Sequence, residues 1–239
     1  MSTALPTRRQ EDFRYADLAA LERVWPVAVE TIVLGENEVR ALSLINDGVR
    51  ELVITLAAGA SLDLRVLNAG AGYGRIAVRA ELGAGANFTF GAAQLAGAEQ
   101  TLEVVTHVAH IAPDAVSNQT VRSVAGAGST VNYLGKVLVA KGADGTDGSQ
   151  SVRAMLLDRT ATANAKPELE IHADDVKCAH GCAVGELDAQ ALFYMAQRGL
   201  PPELAKRLML QAFVAEAFAG AADEEALIAQ AIAALEAML

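Results

Sequence analysis

The residues of this chain that could do metal or proton chemistry crowd into one stretch, residues 167–185, PELEIHADDVKCAHGCAVG. Both cysteines, Cys178 and Cys182, lie in it, together with two of the four histidines, His172 and His180, and the adjacent carboxylates Asp174 and Asp175. Thiolate and imidazole are ligands for zinc, copper and iron–sulfur species. If Cys178-x-His180-x-Cys182 is a continuous strand, all three side chains point to one face, and His172 and Asp174 share their parity. Alternate strand positions lie about 6.5–7 Å apart, however, whereas ligands of one tetrahedral ion stand roughly 3.5–4 Å apart. Closing all three on one ion requires a bend, for which Gly181 is the candidate, and further ligands from elsewhere. The spacing disfavours a closed zinc site within the chain and fits a labile site completed by another subunit. Taken alone, it favours a plainer reading still: two small buried thiols and a hydrogen-bonded histidine.

Other motifs carry less. Neighbours on a strand face opposite ways, so Asp174-Asp175 is a poor general acid–base pair and fits a salt-bridged or turn-capping role. His107 and His110, the latter near a strand end before Ala112-Pro113, fit surface or packing roles. Gly70-x-Gly72-x-Gly74 is not G-x-G-x-x-G and has no helix after it to aim amides at a phosphate, so it predicts a turn. Neither G-x-x-x-x-G-K-[ST] nor G-x-S-x-G occurs, which speaks against nucleotide hydrolysis by this chain itself and against a nucleophile elbow.

The elements that must position these residues change character at the same stretch. Residues 11–24, EDFRYADLAALERV, set Phe13, Leu18, Leu21 and Val24 near helical spacing, predicting one short amphipathic helix ended by Pro26. From residue 27 to about 165, short alternating runs recur every ten to thirteen residues or so: 51–56 (ELVITL), 61–67 (SLDLRVL), 75–80 (RIAVRA), 101–107 (TLEVVTH) and 130–139 (TVNYLGKVLV), with Gly, Asn or Asp turn signals between. No helical segment intervenes, so a βαβ sheet is disfavoured. A β-sandwich and a solenoid remain, and the abundance of small residues favours the solenoid. After Gly185 the period becomes helical. Residues 188–198 (DAQALFYMAQR) stop at Gly199, and Pro201-Pro202 opens a helix to about Phe218 whose apolar residues cover more than one stripe. Asp223 can cap a last helix with a stripe of Leu227, Ile228, Ala231, Leu235 and Met238. The predicted organisation is an N-terminal segment 1–26, a β core 27–186 and a helical subdomain 187–239.

Composition sets the outer bounds. Of 239 residues, 52% are hydrophobic and 20% charged, which fits a globular chain, and only 5% are aromatic, so the core must be thin layers of small and branched aliphatic groups. A net charge of −10 makes duplex nucleic acid and anionic membranes poor partners. Two cysteines make no disulfide framework and point to a reduced, cytoplasmic compartment. The N-terminus lacks an apolar run like that of a secretory signal. The longest uncharged run, 82–98, is too broken by glycine and amides to span a membrane.

At this point the residues are similar to a known family. The block 165–185, followed by Leu192-Phe193-Tyr194 and Arg198-Gly199, resembles the C-terminal signature of the SufB/SufD family of iron–sulfur cluster assembly proteins, and LEIHADDVKCAHGCAVGELD sits on its SufD side, as does the N-terminal DFRYADL. The resemblance implies a right-handed parallel β-helix capped by C-terminal helices. It also implies pairing with a SufB-like subunit through the β-helices, and docking of a SufC-like ATPase on roughly residues 188–218. On the same ground Cys178 and His180 fall at the subunit interface as candidate ligands, with iron or a nascent cluster held only in passing and no cofactor bound stably by this chain alone. Departures are a short N-terminal region, Cys182 where alanine is expected, and His172 where an aromatic or apolar residue is. Cys182 either adds a ligand or fills an alanine-sized hole. The reading is thus a non-catalytic scaffold subunit. Its alternatives are a β-helix enzyme acting on polysaccharide through Asp174 or Asp175, for which one Trp and four Tyr offer few aromatic platforms, and a purely structural solenoid homodimer.

Overall fold

A computed structural model describes residues 4–70 and 72–238. A single 3₁₀ turn (Glu11–Phe13) and a five-residue helix α1 (Leu18–Glu22) precede the strands β1 (Val29–Leu34), β2 (Val39–Asn46), β3 (Val49–Leu56), β4 (Ser61–Asn68), β5 (Tyr73–Leu82), β6 (Asn87–Ala96), β7 (Thr101–His110), β8 (Val116–Ala125), β9 (Thr130–Val139), β10 (Asp147–Leu156), β11 (Thr162–Ile171) and β12 (Lys177–Gly185). Helices α2 (Ala189–Gln197), α3 (Pro202–Ala215) and α4 (Glu224–Met238) follow.

Each strand pairs with the strand two places on, always in parallel. The odd strands form one sheet, β1-β3-β5-β7-β9-β11, and the even strands another, β12-β10-β8-β6-β4-β2. Every coil gives one strand to each sheet, which makes a parallel β-solenoid of about five turns and removes the β-sandwich. Coils lengthen along the chain: Val29 pairs with Glu51, 22 residues on, and Thr130 with Thr162, 32 residues on. Side chains alternate inward and outward, and inward residues stack on their paired neighbours. One such column runs Ile54, Ala80, Val108, Val137, Leu169. The core is aliphatic and thin, as the composition requires, with Phe88 and Phe90 stacked at 6.3 Å, and Tyr133, as its aromatic part.

Two coverings close the outer faces. The N-terminal segment lies across the odd-strand sheet and is not the single helix that its spacing predicts. Asp17 caps α1 by accepting from the Ala19 and Ala20 amides, so the helix begins late. Residues before it are held by tertiary contacts: Arg75 donates to the Asp12 carbonyl oxygen at 2.9 Å and lies 4.5 Å from the Phe13 ring centre. Arg75 is itself paired to buried Glu103 at 2.9 Å, and Glu103 also accepts from Tyr73 and Asn132. Val24, expected on the apolar stripe, is exposed.

Helices α3 and α4 cover the even-strand sheet. Leu210, Val214, Phe218, Leu227, Ala231 and Leu235 pack on Leu67, Ala93, Leu95 and Val124, which face outward from β4, β6 and β8. The apolar breadth of α3 is therefore used inside the chain, by α4 and the sheet. Asp223 does not appear as a side-chain cap: its carboxylate accepts from the Ser43 hydroxyl at 2.7 Å, while the Glu224 carboxylate takes the Gly220 amide. The crossing is tight at Gly91, where a Cβ would come within 1.9 Å of the Ala217 carbonyl oxygen.

Two outcomes follow. Gly91→Ala must push the α3–α4 connection off the sheet, and equilibrium unfolding should show a loss of at least about 2 kcal/mol. Inside the core, burial lowers the His110 imidazole from 6.5 to about 4, and the Ala115 backbone and the Asp147 charge pull upward without offsetting it. The unfolded chain thus takes a proton below pH 6.5 that the folded chain refuses until about pH 4. Across that window stability falls with falling pH, by about 3 kcal/mol at ~1.4 kcal/mol per unit. The His110→Gln variant should flatten that limb of a melting-temperature profile.

Candidate functional site

Cys178, His180 and Cys182 stand on β12, the last strand of the even sheet. They pair in register with Gly148, Gln150 and Val152 of β10, all buried, so the three point along the solenoid's inward face. Among the described residues no coil lies beyond β12. Their side chains are therefore uncovered: Cys178 is half-buried, and Cys182 and His180 are exposed. The reading of two buried thiols is corrected on this point, and Cys182 fills no alanine-sized hole. Gly181 does not bend the strand, which runs unbroken from Lys177 to Gly185. The three side chains keep the wide spacing of alternate strand positions. Among the described residues, no three His, Cys, Asp or Glu side chains gather closely enough to hold a metal ion.

His172 and Asp174 do not share the site's face. The stretch is not one strand; β11 ends at Ile171 and a turn intervenes before Lys177. His172 Nε2 is 2.8 Å from the Glu170 carboxylate. Asp174 and Asp175 lie exposed in that turn, where the Asp175 carbonyl accepts from the Gly145 amide at 2.7 Å. His107 bonds Asp12 at 2.6 Å, and buried His110 bonds the Ser117 hydroxyl at 2.8 Å, so both serve packing. Of the glycines predicted to turn, Gly70 follows β4 and Gly72 stands in a bend just before β5, whereas Gly74 is already within that strand.

The open end has an apolar frame. On β11 the inward positions are Ala163, Ala165, Pro167, Leu169 and Ile171, stacked on the buried inward face of β9. All are partly uncovered, and Ile171 is 40% exposed, as Val184 on β12 is 47%. Electrostatically the thiols are unactivated. Burial pushes the Cys178 thiol up, the Asp147 charge adds to this, and the Gly148 backbone pulls down without cancelling it. Partial desolvation also raises Cys182.

Sequence reasoning missed what lies beneath the site. Ser117-x-Gln119-x-Val121, Gly148-x-Gln150-x-Val152 and Cys178-x-His180-x-Cys182 are in register on β8, β10 and β12. The signal was available as polar residues at core parity, repeating 31 and then 30 residues apart. A second surface was half-seen: α2, capped by Asp188 and ended at Gly199, buries none of its side chains, and its Phe193 and Tyr194 are 65% and 57% exposed.

A comparison with family models matches residues 39–213 to the SUF system FeS cluster assembly, SufBD core domain. The chain belongs to the SufBD family. Among its relatives, the iron–sulfur cluster assembly protein SufD of Escherichia coli (strain K12) is 39% identical over 92 residues, 38% of this chain and 22% of that protein. The chloroplastic protein ABCI7 of Arabidopsis thaliana is 38% identical over 119 residues, 49% of this chain and 25% of that one. SufD of Bacillus subtilis (strain 168) is 37% identical over 89 residues, 37% and 20% of the two chains. The matched stretches thus span a quarter or less of these relatives' own length. The matched core domain takes in β2 through most of α3, and so includes the open end with Cys178 and His180. No helix among the described residues is long and apolar enough to cross a membrane.

Two protonated thiols of unequal exposure make a testable pair. With single-thiol variants Cys178→Ser and Cys182→Ser, alkylation by iodoacetamide should be slow at neutral pH, accelerate as pH rises, and proceed faster at Cys182 than at Cys178. Equal rates, or fast labelling at neutral pH, would contradict this account.

Proposed function

We propose that this SufBD-family chain is a scaffold subunit of a Suf-type iron–sulfur assembly complex, with the open end of its solenoid as half of a shared cluster site. Cys178 and His180 supply two ligands from this side, and Cys182 is the next candidate. The cluster or iron is cargo here, held in passing. The supporting observation is the uncovered last coil: candidate ligand side chains at wide spacing, in an apolar frame, with none of the described residues over them. Such a frame suits a second subunit of the same fold, a SufB-like partner, laid against it. The exposed aromatics of α2 give a separate, apolar face suited to a SufC-like ATPase; α3, spent on internal packing, is the weaker candidate. Both partner assignments come from family membership together with these faces. The site would act in the cytoplasm, a compartment that keeps thiols reduced.

The polymer-active alternative lacks comparable support, because Asp174 and Asp175 stand in an exposed turn and not along a coil face. A structural homodimer has one favourable feature, since the open end could pair with a second copy.

The test is reconstitution with the partner subunits. The His180→Ala variant should impair cluster formation while the complex still assembles in an anaerobic pull-down. Full cluster yield from that variant would remove the site assignment. A double Phe193→Ala, Tyr194→Ala variant should lose the ATPase from the pull-down and keep the SufB-like subunit, whereas a lone homodimer in the native host would favour the structural reading.

A further inference from the structure

One inward column of the solenoid runs Leu42, Leu64, Phe90, Gln119, Gln150, His180 across β2, β4, β6, β8, β10 and β12. Three apolar residues are followed by two carboxamides and an imidazole. Gln119 and Gln150 are 1% and 2% exposed, so each polar atom they carry needs a partner inside the protein. The Tyr133 phenol, entering from the opposite sheet, partners two of the four. Gln150 Nε2 donates to its oxygen at 3.0 Å, the phenol donates to Gln119 Oε1 at 3.4 Å, and the Thr106 hydroxyl stands 3.1 Å away. Gly135 makes this possible, since a Cβ there would meet the phenol oxygen at 2.0 Å.

The phenol sets which way the two amides face and leaves Gln150 Oε1, and Gln119 Nε2 one strand behind it, buried without partners. A buried carbonyl oxygen left unpaired costs about 1–3 kcal/mol. The next position in the column, toward the open end, is His180. Paired strands lie about 4.8 Å apart; Gln150 Oε1 accepts from no donor as the side chains stand, and a bond from the imidazole takes a change of rotamer.

We propose that Gln150 is a positioning residue for His180: its Oε1 accepts the imidazole N–H, which holds one tautomer and turns the lone pair of the other ring nitrogen out of the open end. The bond satisfies the orphaned oxygen. It is also the arrangement that ligating histidines generally use, one ring nitrogen donating to an oxygen acceptor behind it while the other faces the ligand. The inference rests on the proposed function only for the purpose of the outward nitrogen; the hydrogen bond needs no metal.

The measurement is the ring-nitrogen NMR of the full chain labelled with nitrogen-15 histidine, metal-free and in alkaline buffer, with His180 assigned by its disappearance in His180→Ala. The native chain should show His180 in one tautomer. Gln150→Leu, of similar bulk but without an acceptor, should move it to the exchanging mixture of free imidazole. Gln150→Glu, which keeps an acceptor, should restore the single tautomer. A mixture in the native chain overturns the proposal, as does an unchanged tautomer in folded Gln150→Leu. If the leucine variant fails to fold, the native spectrum alone decides. None of these results bears on cluster yield with His180→Ala, so the two readings fail separately.

Discussion

In a parallel solenoid each inward side chain is buried by the coil beyond it, and the last coil has none. Every other property of the site follows from that single constraint. The column Leu56, Leu82, His110, Val139 is buried throughout and ends in Ile171, which is half out. The column Asn46, Asn68, Gln94, Ser123, Ala154 ends likewise in Val184. Side chains that are core by parity become surface by position. A final strand also leaves a row of unpaired main-chain groups, which favours a covering partner.

The two ends of the solenoid are not equivalent. At the first coil Ile32, Leu42 and Leu44 line the interior with aliphatic groups, and Asn46 is the polar residue at its edge. Toward the last coil the interior turns polar, through Ser117, Gln119 and Gln150, before it reaches Cys178 and His180. A thin core tolerates this because each buried amide or hydroxyl sits within one strand spacing of another, as in the ladder of Asn46, Asn68 and Gln94. The outer faces are closed by the N-terminal segment and by α3 and α4, each fastened by a buried arginine. Arg75 ties down Asp12, and Arg65 donates to the Ala217 and Ala219 carbonyls. Chemistry is left to one end.

What could be read from the chain alone divides along the range of the forces involved. Local signals held: Asp188 and Gly199 bound α2, and the alternation of residues 130–139 is β9 to the residue. The parity of Cys178, His180 and Cys182 held too, since it needs only a strand. Burial did not, because parity cannot say whether another coil follows. Helical spacing over residues 11–24 misled because it is blind to Arg75, more than fifty residues away, which holds the chain before Asp17 in place. Strand β6 (NFTFGAAQLA), poor in branched residues after Phe90, is visible mainly through its register with β4 and β8. Gln119 and Gln150 were legible in principle, as polar residues at core parity, but only once the coil length was known.

The spacing of the ligands has a thermodynamic consequence for the proposed scaffold. Side chains at alternate strand positions cannot chelate one ion, so this chain alone offers cargo separate contacts, each weak. Tight binding then requires ligands from a facing subunit, and the cargo becomes a link across the interface. By reciprocity, whatever the partner adds to cluster affinity the cluster adds to subunit affinity. Loading would strengthen the pairing by an amount that grows with the logarithm of cargo concentration over its dissociation constant, and release would weaken it equally. On the proposed reading the open coil end, with raised thiols and an imidazole in an apolar frame, suits that exchange because it would be half a site and not a whole one.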